Sequence, residues 1–307
     1  MHPLRGILFK ILSVVTFMGM ASMVKAASVD VPPGQAVFFR SFFALPVIFG
    51  WLAFRGELRS GLKTQNPMGH VWRGLVGTTA MGLMFTGLGL LPLPEVTAIG
   101  YAAPLLVVIF AAMFLGEEVR GFRLSAVALG MVGVLIVLSP RLSVGAGLNT
   151  AETLGAVVVL MGAMMAAMAQ VFVRKLVQTE GTAAIVFWFS VTSSTLALFT
   201  LPWGWAMPSP TVVVLLVTAG LLGGTGQILL TSSYRYADAS LVAPFDYTSM
   251  LLALIIGYLV FDEVPTGTML LGAGIVILAG VLIIWRERKL GLARAQQRKA
   301  MGHPGGN

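Results

Sequence analysis

Long apolar stretches recur along the chain, separated by short polar breaks. Ten of them approach the roughly 20 residues that a helix needs to cross a hydrocarbon core. They lie near 5–26, 35–54, 71–91, 94–115, 121–139, 153–174, 182–203, 210–233, 240–261 and 267–285. Lipid offers no partner to backbone N–H and C=O groups, so each run predicts a helix that satisfies its own. Turn signals mark several breaks: Pro32-Pro33-Gly34, Leu91-Pro92-Leu93-Pro94 and Pro208-Ser209-Pro210. Glycines such as Gly82, Gly133 and Gly224 predict close helix contacts. Residues 1–27 have the outline of a secretory signal, with Arg5 and Lys10 ahead of an apolar run. They read instead as a first helix, because Phe17-Met18-Gly19-Met20 through Lys25 parallels Ala167-Met168-Ala169-Gln170 through Lys175.

That parallel belongs to a wider duplication. Glu95–Val119 aligns without gaps on Ser240–Val264, and each stretch closes on an acidic pair and a valine, Glu117-Glu118-Val119 and Asp262-Glu263-Val264. Arg120 and Arg123 follow the first pair; Pro265 and Thr268 stand in their places after the second. Loss of basic residues from a duplicated loop is expected when the copy lies on the opposite side of a membrane, where Lys and Arg are disfavoured. With the N-terminus inside, 17 of the 20 basic residues fall on the cytoplasmic side. Only Lys25 and Arg141 fall on the other face, and Arg40 lies within a span. The expected fold is an all-α polytopic membrane protein: ten transmembrane helices as two inverted five-helix repeats, both termini cytoplasmic. The repeats occupy 1–145 and 146–290, and 291–307 is a basic cytoplasmic tail.

Composition narrows the chemistry. Apolar residues make up 57% of the chain and charged residues 10%, with mean hydropathy +0.90, far from the composition of a soluble domain. The net charge of +8 is explained by membrane topology rather than by nucleic-acid binding. The chain has no cysteine, and His2, His70 and His303 sit at ends or in loops, which leaves little for a thiolate or metal site. No HExxH, Walker-type loop or pair of buried aspartates supports an intramembrane enzyme or an ATP-driven pump. No cofactor is expected. Inverted repeats instead suit a secondary transporter, with a channel or structural membrane subunit as the alternative class.

An ionisable group within a span needs a reason, because burying it costs several kcal/mol. Arg40, after Phe38-Phe39, and Asp246, after Pro244-Phe245, are two such groups. Arg40 offers a planar fork of donors to an anionic or polar part of a substrate; its structural alternative is snorkelling or capping near a helix end. It aligns with Phe189 in the second half, so symmetry does not demand it. Asp246 aligns with Tyr101 and suits a protonatable coupling site or a salt-bridge partner for Arg40, unless it is a boundary residue about 9 Å deep. Pro104 and Pro244 permit breaks in equivalent helices of the two halves. Gln170 and Gln227 are candidate buried amides for substrate or for a neighbouring helix. Phe38, Phe42, Trp188, Tyr101 and Tyr247 could wall a flat ligand or simply pack.

The run Val37-Phe38-Phe39-Arg40-Ser41-Phe42-Phe43, the segment ending Phe114-Leu115-Gly116-Glu117 and the glycines of Gly130-Met131-Val132-Gly133-Val134 together resemble the EamA branch of the drug/metabolite transporter superfamily. Phe38–Phe43 and His70-Val71-Trp72-Arg73-Gly74 look most like its riboflavin and S-adenosylmethionine importers. The resemblance implies a bacterial inner-membrane carrier working by alternating access. The expected substrate is a vitamin or nucleoside-like compound such as riboflavin, taken up rather than expelled; export of amino acids or drugs is the alternative. The expected partners are that substrate, the lipid bilayer and protons as a coupling ion, and a second copy of the chain in a homodimer is compatible with the sequence.

Overall fold

A computed structural model describes residues 3–58, 61–115, 121–142, 150–236 and 243–301. The acidic pair Glu117-Glu118 and the following Val119 and Arg120 lie outside the described residues. Within them the chain is helical and carries no strand: α1 Pro3–Ala27, α2 Pro33–Phe42, α3 Ala44–Phe54, α4 Pro67–Leu90, α5 Leu93–Gly100, α6 Ala102–Leu115, α7 Gly121–Leu142, α8 Thr150–Leu176, α9 Thr182–Leu198, α10 Pro210–Tyr236, α11 Thr248–Phe261 and α12 Gly267–Met301. Short 3-10 turns at Leu201–Trp203 and Ala243–Tyr247 complete the set. Seven helical segments are long and apolar enough to cross a membrane, and Thr182–Leu198 and Phe245–Phe261 are shorter apolar helices. The remaining α4 is 24 residues long; His70 and Arg73 sit among its apolar positions.

The breaks inside spans have a common cause. Pro46 lies three residues past the α2–α3 junction at Phe43, and Pro104 three past the α5–α6 junction at Tyr101. A proline cannot donate to the carbonyl four residues back and crowds it, so the helix gives way just before. The segment opening α11 is a 3-10 turn containing Pro244. By the alignment above, it is the counterpart of residues 98–102, where α5 gives way to α6. At the other end of the chain, α12 runs on to Met301, through most of the basic segment 291–307.

Helix packing follows small residues and apolar faces. α1 lies along α10, α4 along α8, α7 along α12, and α2 along α9. At the α7–α12 contact a Cβ on Gly133 would come within 2.8 Å of the Gly272 carbonyl, and one on Gly272 within 2.6 Å of the Gly133 carbonyl. Two backbones touch there, and only glycine allows it. Gly224 similarly seats Ala44, but Gly82 faces open space and makes no close contact.

Candidate functional site

Two arginines meet in the middle of the bundle. Arg40 is the eighth residue of α2, and Arg73 the seventh of α4, so each lies about 10 Å in from its own helix start at 1.5 Å per residue. The helices enter from opposite ends, and this brings both side chains to Phe189 on α9. The Arg73 guanidinium carbon is 3.9 Å from the centre of that ring and the Arg40 carbon 5.6 Å. Only 4% of Arg40 and 8% of Arg73 is exposed. Among the described residues, no acceptor reaches Nε or Nη1 of either arginine. Ser41 and Ser190, next in sequence to Arg40 and Phe189, are wholly buried, and their hydroxyls also lack partners. Two like charges thus share one buried space on the same ring. Glycines make the room: a Cβ on Gly77 would press on the Phe189 ring at 2.9 Å, and one on Gly223 on Arg40 Nε at 2.9 Å.

Arg73 was not among the residues singled out from the sequence, where it counts as a charge of the cytoplasmic face. The signal was the His70–Gly74 run, which carries the family resemblance without showing that its arginine turns inward. An apolar cavity of about 220 Å³ touches Ala36, Val24, Val31, Phe85 and Leu90. Ala36 is one helical turn before Arg40, on the same face of α2.

The remaining candidates are distributed differently. Asp246 does not pair with Arg40; its Oδ1 is 2.7 Å from Lys10 Nζ on α1, and Lys10 is nearly fully buried. Tyr101 and Tyr247 pack edge to face at 5.2 Å, and the Tyr101 hydroxyl lies 2.7 Å from the Ser249 hydroxyl. Gln170 is not a buried amide: it points out of the bundle from α8. Gln227 is half-buried on α10. The aromatic residues do not form one wall. Phe38 stacks on Phe42 and leans on Trp205, while Trp188 donates its indole N–H to the Leu62 carbonyl and faces His70. Phe42 is 45% exposed, because α2 turns it away from α9. These separations arise because a helix scatters neighbouring residues over 100° steps, which residue type alone does not reveal.

Charged groups at the two ends of the bundle are, by contrast, satisfied. At one end Lys25 Nζ is 2.8 Å from Glu263 and also donates to the carbonyls of Leu88 and Leu91 that end α4. Glu263 accepts the Leu93 N–H that begins α5. Ammonium at a helix C-terminus and carboxylate at an N-terminus complement both dipoles. Nearby, Arg141 grips Glu95 with two N–H donors at 3.0 and 2.8 Å and pairs with Glu152 at the start of α8. At the opposite end Glu180 accepts from Thr64 Oγ1 and from the N–H groups of Gln65 and Asn66 at 2.7–2.9 Å. Burial raises the Glu180 pKa, but those hydrogen bonds outweigh it and hold the carboxyl below its usual range. His70 Nε2 lies 3.7 Å from Glu180, outside hydrogen-bond range.

With the geometry described, the chain can be set beside known proteins. Two segments, residues 4–139 and 153–285, match the EamA-like transporter family. The S-adenosylmethionine uptake transporter of Rickettsia prowazekii is 28% identical over 287 residues, covering 93% of this chain and 94% of that protein. The riboflavin transporter of Rhizobium johnstonii is also 28% identical, covering 93% and 90%. The pseudopaline exporter CntI of Pseudomonas aeruginosa is 28% identical, covering 92% and 97%. A crystal structure at 19% identity superposes with a TM-score of 0.67 over 93% of this chain and 98% of that one, a likeness of fold. The two matched segments cover most of the chain, and the relatives align along nearly their whole lengths: the protein belongs to the EamA-like transporter family.

Proposed function

We propose that this protein is a secondary transporter taking up a small organic metabolite across a bacterial inner membrane, held between the two halves by Arg40. The observation that carries this reading is the pair of buried guanidiniums whose Nε and Nη1 find no acceptor among the described residues, where α2 and α4 meet α9. A charge buried in a span without a counterpart marks a functional site by default. The metabolite is of the vitamin or nucleoside-like class that includes riboflavin and S-adenosylmethionine, substrates named for relatives, the second of them in an uptake transporter.

Ten spanning helices in two inverted five-helix repeats, 1–145 and 146–290, with both termini cytoplasmic, form the working frame. The packing supports it: α1 against α10 is mirrored by α8 against α4, the partners expected if one half is exchanged for the other. α2 and α9, and α7 and α12, are each positional mates in contact. Arg40 itself touches Phe189, the residue at its own equivalent position. Alternating access is then a rocking of the halves about this contact. Lys25–Glu263 and Arg141–Glu152 tie them at one end, and Glu180 at the other. Proton coupling is assigned to the Lys10–Asp246 pair, which also joins the halves.

The test is growth of a riboflavin-auxotrophic bacterium on limiting vitamin, together with uptake of labelled S-adenosylmethionine by vesicles of known orientation. Saturable, Arg40-dependent uptake of either compound supports the reading. Flux only outward overturns the direction, and non-saturable flux without counterflow overturns the carrier.

A further inference from the structure

We infer that Arg40 and Arg73 act together as a carboxylate clamp, so that the recognised end of the substrate is a carboxylate rather than a neutral ring. This rests on the transporter reading above and narrows its substrate class. Two positive charges, both more than nine-tenths buried, face the same ring with no acceptor on Nε or Nη1 among the described residues. Both guanidinium carbons lie within 5.6 Å of one ring centre, two like charges in one buried space, and neither forms an ion pair with a described residue. A neutral acceptor such as a ring carbonyl would fill one or two donor positions and leave the repulsion in place. A carboxylate answers both deficits, with two oxygens to accept from the forks and one negative charge between them.

Phe189 explains how the two guanidiniums are held. Its π face is a weak substitute for an anion, since a cation–π contact returns only part of what a desolvated ion pair does. The ring therefore holds both guanidiniums in register without satisfying their donors, and an entering carboxylate draws them off it. The Ser41 and Ser190 hydroxyls, next in sequence to Arg40 and Phe189, are buried and unpartnered as well. Arg73 is thus a substrate-binding residue, not a topological charge.

The proposal separates two probes. S-adenosylmethionine bears an amino-acid carboxylate, its decarboxylated analogue lacks only that group, and riboflavin has no carboxylate. The experiment is ligand binding to the purified full chain in detergent, read as a melting-temperature shift and by competition, with glutamate as an additional carboxylate probe. We expect S-adenosylmethionine to bind at least tenfold more tightly than its decarboxylated analogue. Arg40→Gln and Arg73→Gln should each erase that preference, while Arg73→Lys, which keeps the charge and loses the fork, retains part of it. Equal binding of the two analogues overturns the clamp, and so does an Arg73→Gln variant with unchanged preference. Riboflavin taken up without any response to carboxylates also overturns the clamp and leaves the transporter standing. Absence of binding and uptake for every probe overturns both.

Discussion

Two sets of charged side chains in this molecule are treated in opposite ways. Lys25 and Arg141 are the only basic residues that the sequence assigns to the basic-poor face, and both are bound by carboxylates and carbonyls at the ends of helices. Arg40 and Arg73 lie deeper and have Nε and Nη1 without acceptors. The first set is already complete within the chain and ties elements together. The second is incomplete without something from outside. The difference shows that a charge count along a membrane sequence sorts residues by side and says nothing of their roles. Arg73 was counted with one face yet belongs to the interior.

The largest effect should come from the incomplete set. Arg40→Gln or Arg73→Gln should lower transport about 100-fold, equivalent to about 2.7 kcal/mol, as measured by initial uptake rates. The same variants should melt no lower than the parent, because an uncompensated buried charge is removed. A variant that loses stability in step with activity would instead make these arginines structural.

The complete set should respond in reverse. Lys25→Met strands Glu263 at the α4–α5 junction and should cost about 2–3 kcal/mol, seen as a lowered melting temperature. Adding Glu263→Gln to it should restore part of the loss. If Lys25→Met instead speeds transport without loss of stability, the pair is a latch that opens in the cycle rather than a structural tie.

Glu180 should give a smaller, pH-dependent effect. Its folded pKa is depressed, so its contribution is fully present above the ordinary carboxylate range, near pH 4.3. That contribution is lost as pH falls through the lower folded value. Glu180→Gln should cost about 1–2 kcal/mol at neutral pH and flatten the acid limb of a melting-temperature profile. Smallest of all, Gln170→Ala on the outer surface of α8 should change stability by less than about 0.5 kcal/mol and leave uptake rates alone. A large loss there would restore the amide to the site.

Much of the helical layout was legible because lipid imposes a simple rule: a run of about 20 apolar residues must be a helix that satisfies its own backbone. The breaks were legible in part, since Pro104 and Pro244 announce them, while the matching break at Phe43 ahead of Pro46 was not anticipated. The candidate site was legible at Arg40, a lone charge in an apolar run. It was not legible at Arg73, Phe189 or Ser190, whose residue types and positions are ordinary on their own. Residue order alone settled the helical class and the presence of long apolar helices, because burial in hydrocarbon acts residue by residue. Three-dimensional packing was needed to establish that Asp246 meets Lys10 rather than Arg40, that Gln170 faces outward, and that Arg40 and Arg73 share Phe189. Those outcomes depend on the rotation of each helix about its axis, which is set by close packing between helices at glycines such as Gly77, Gly133 and Gly223.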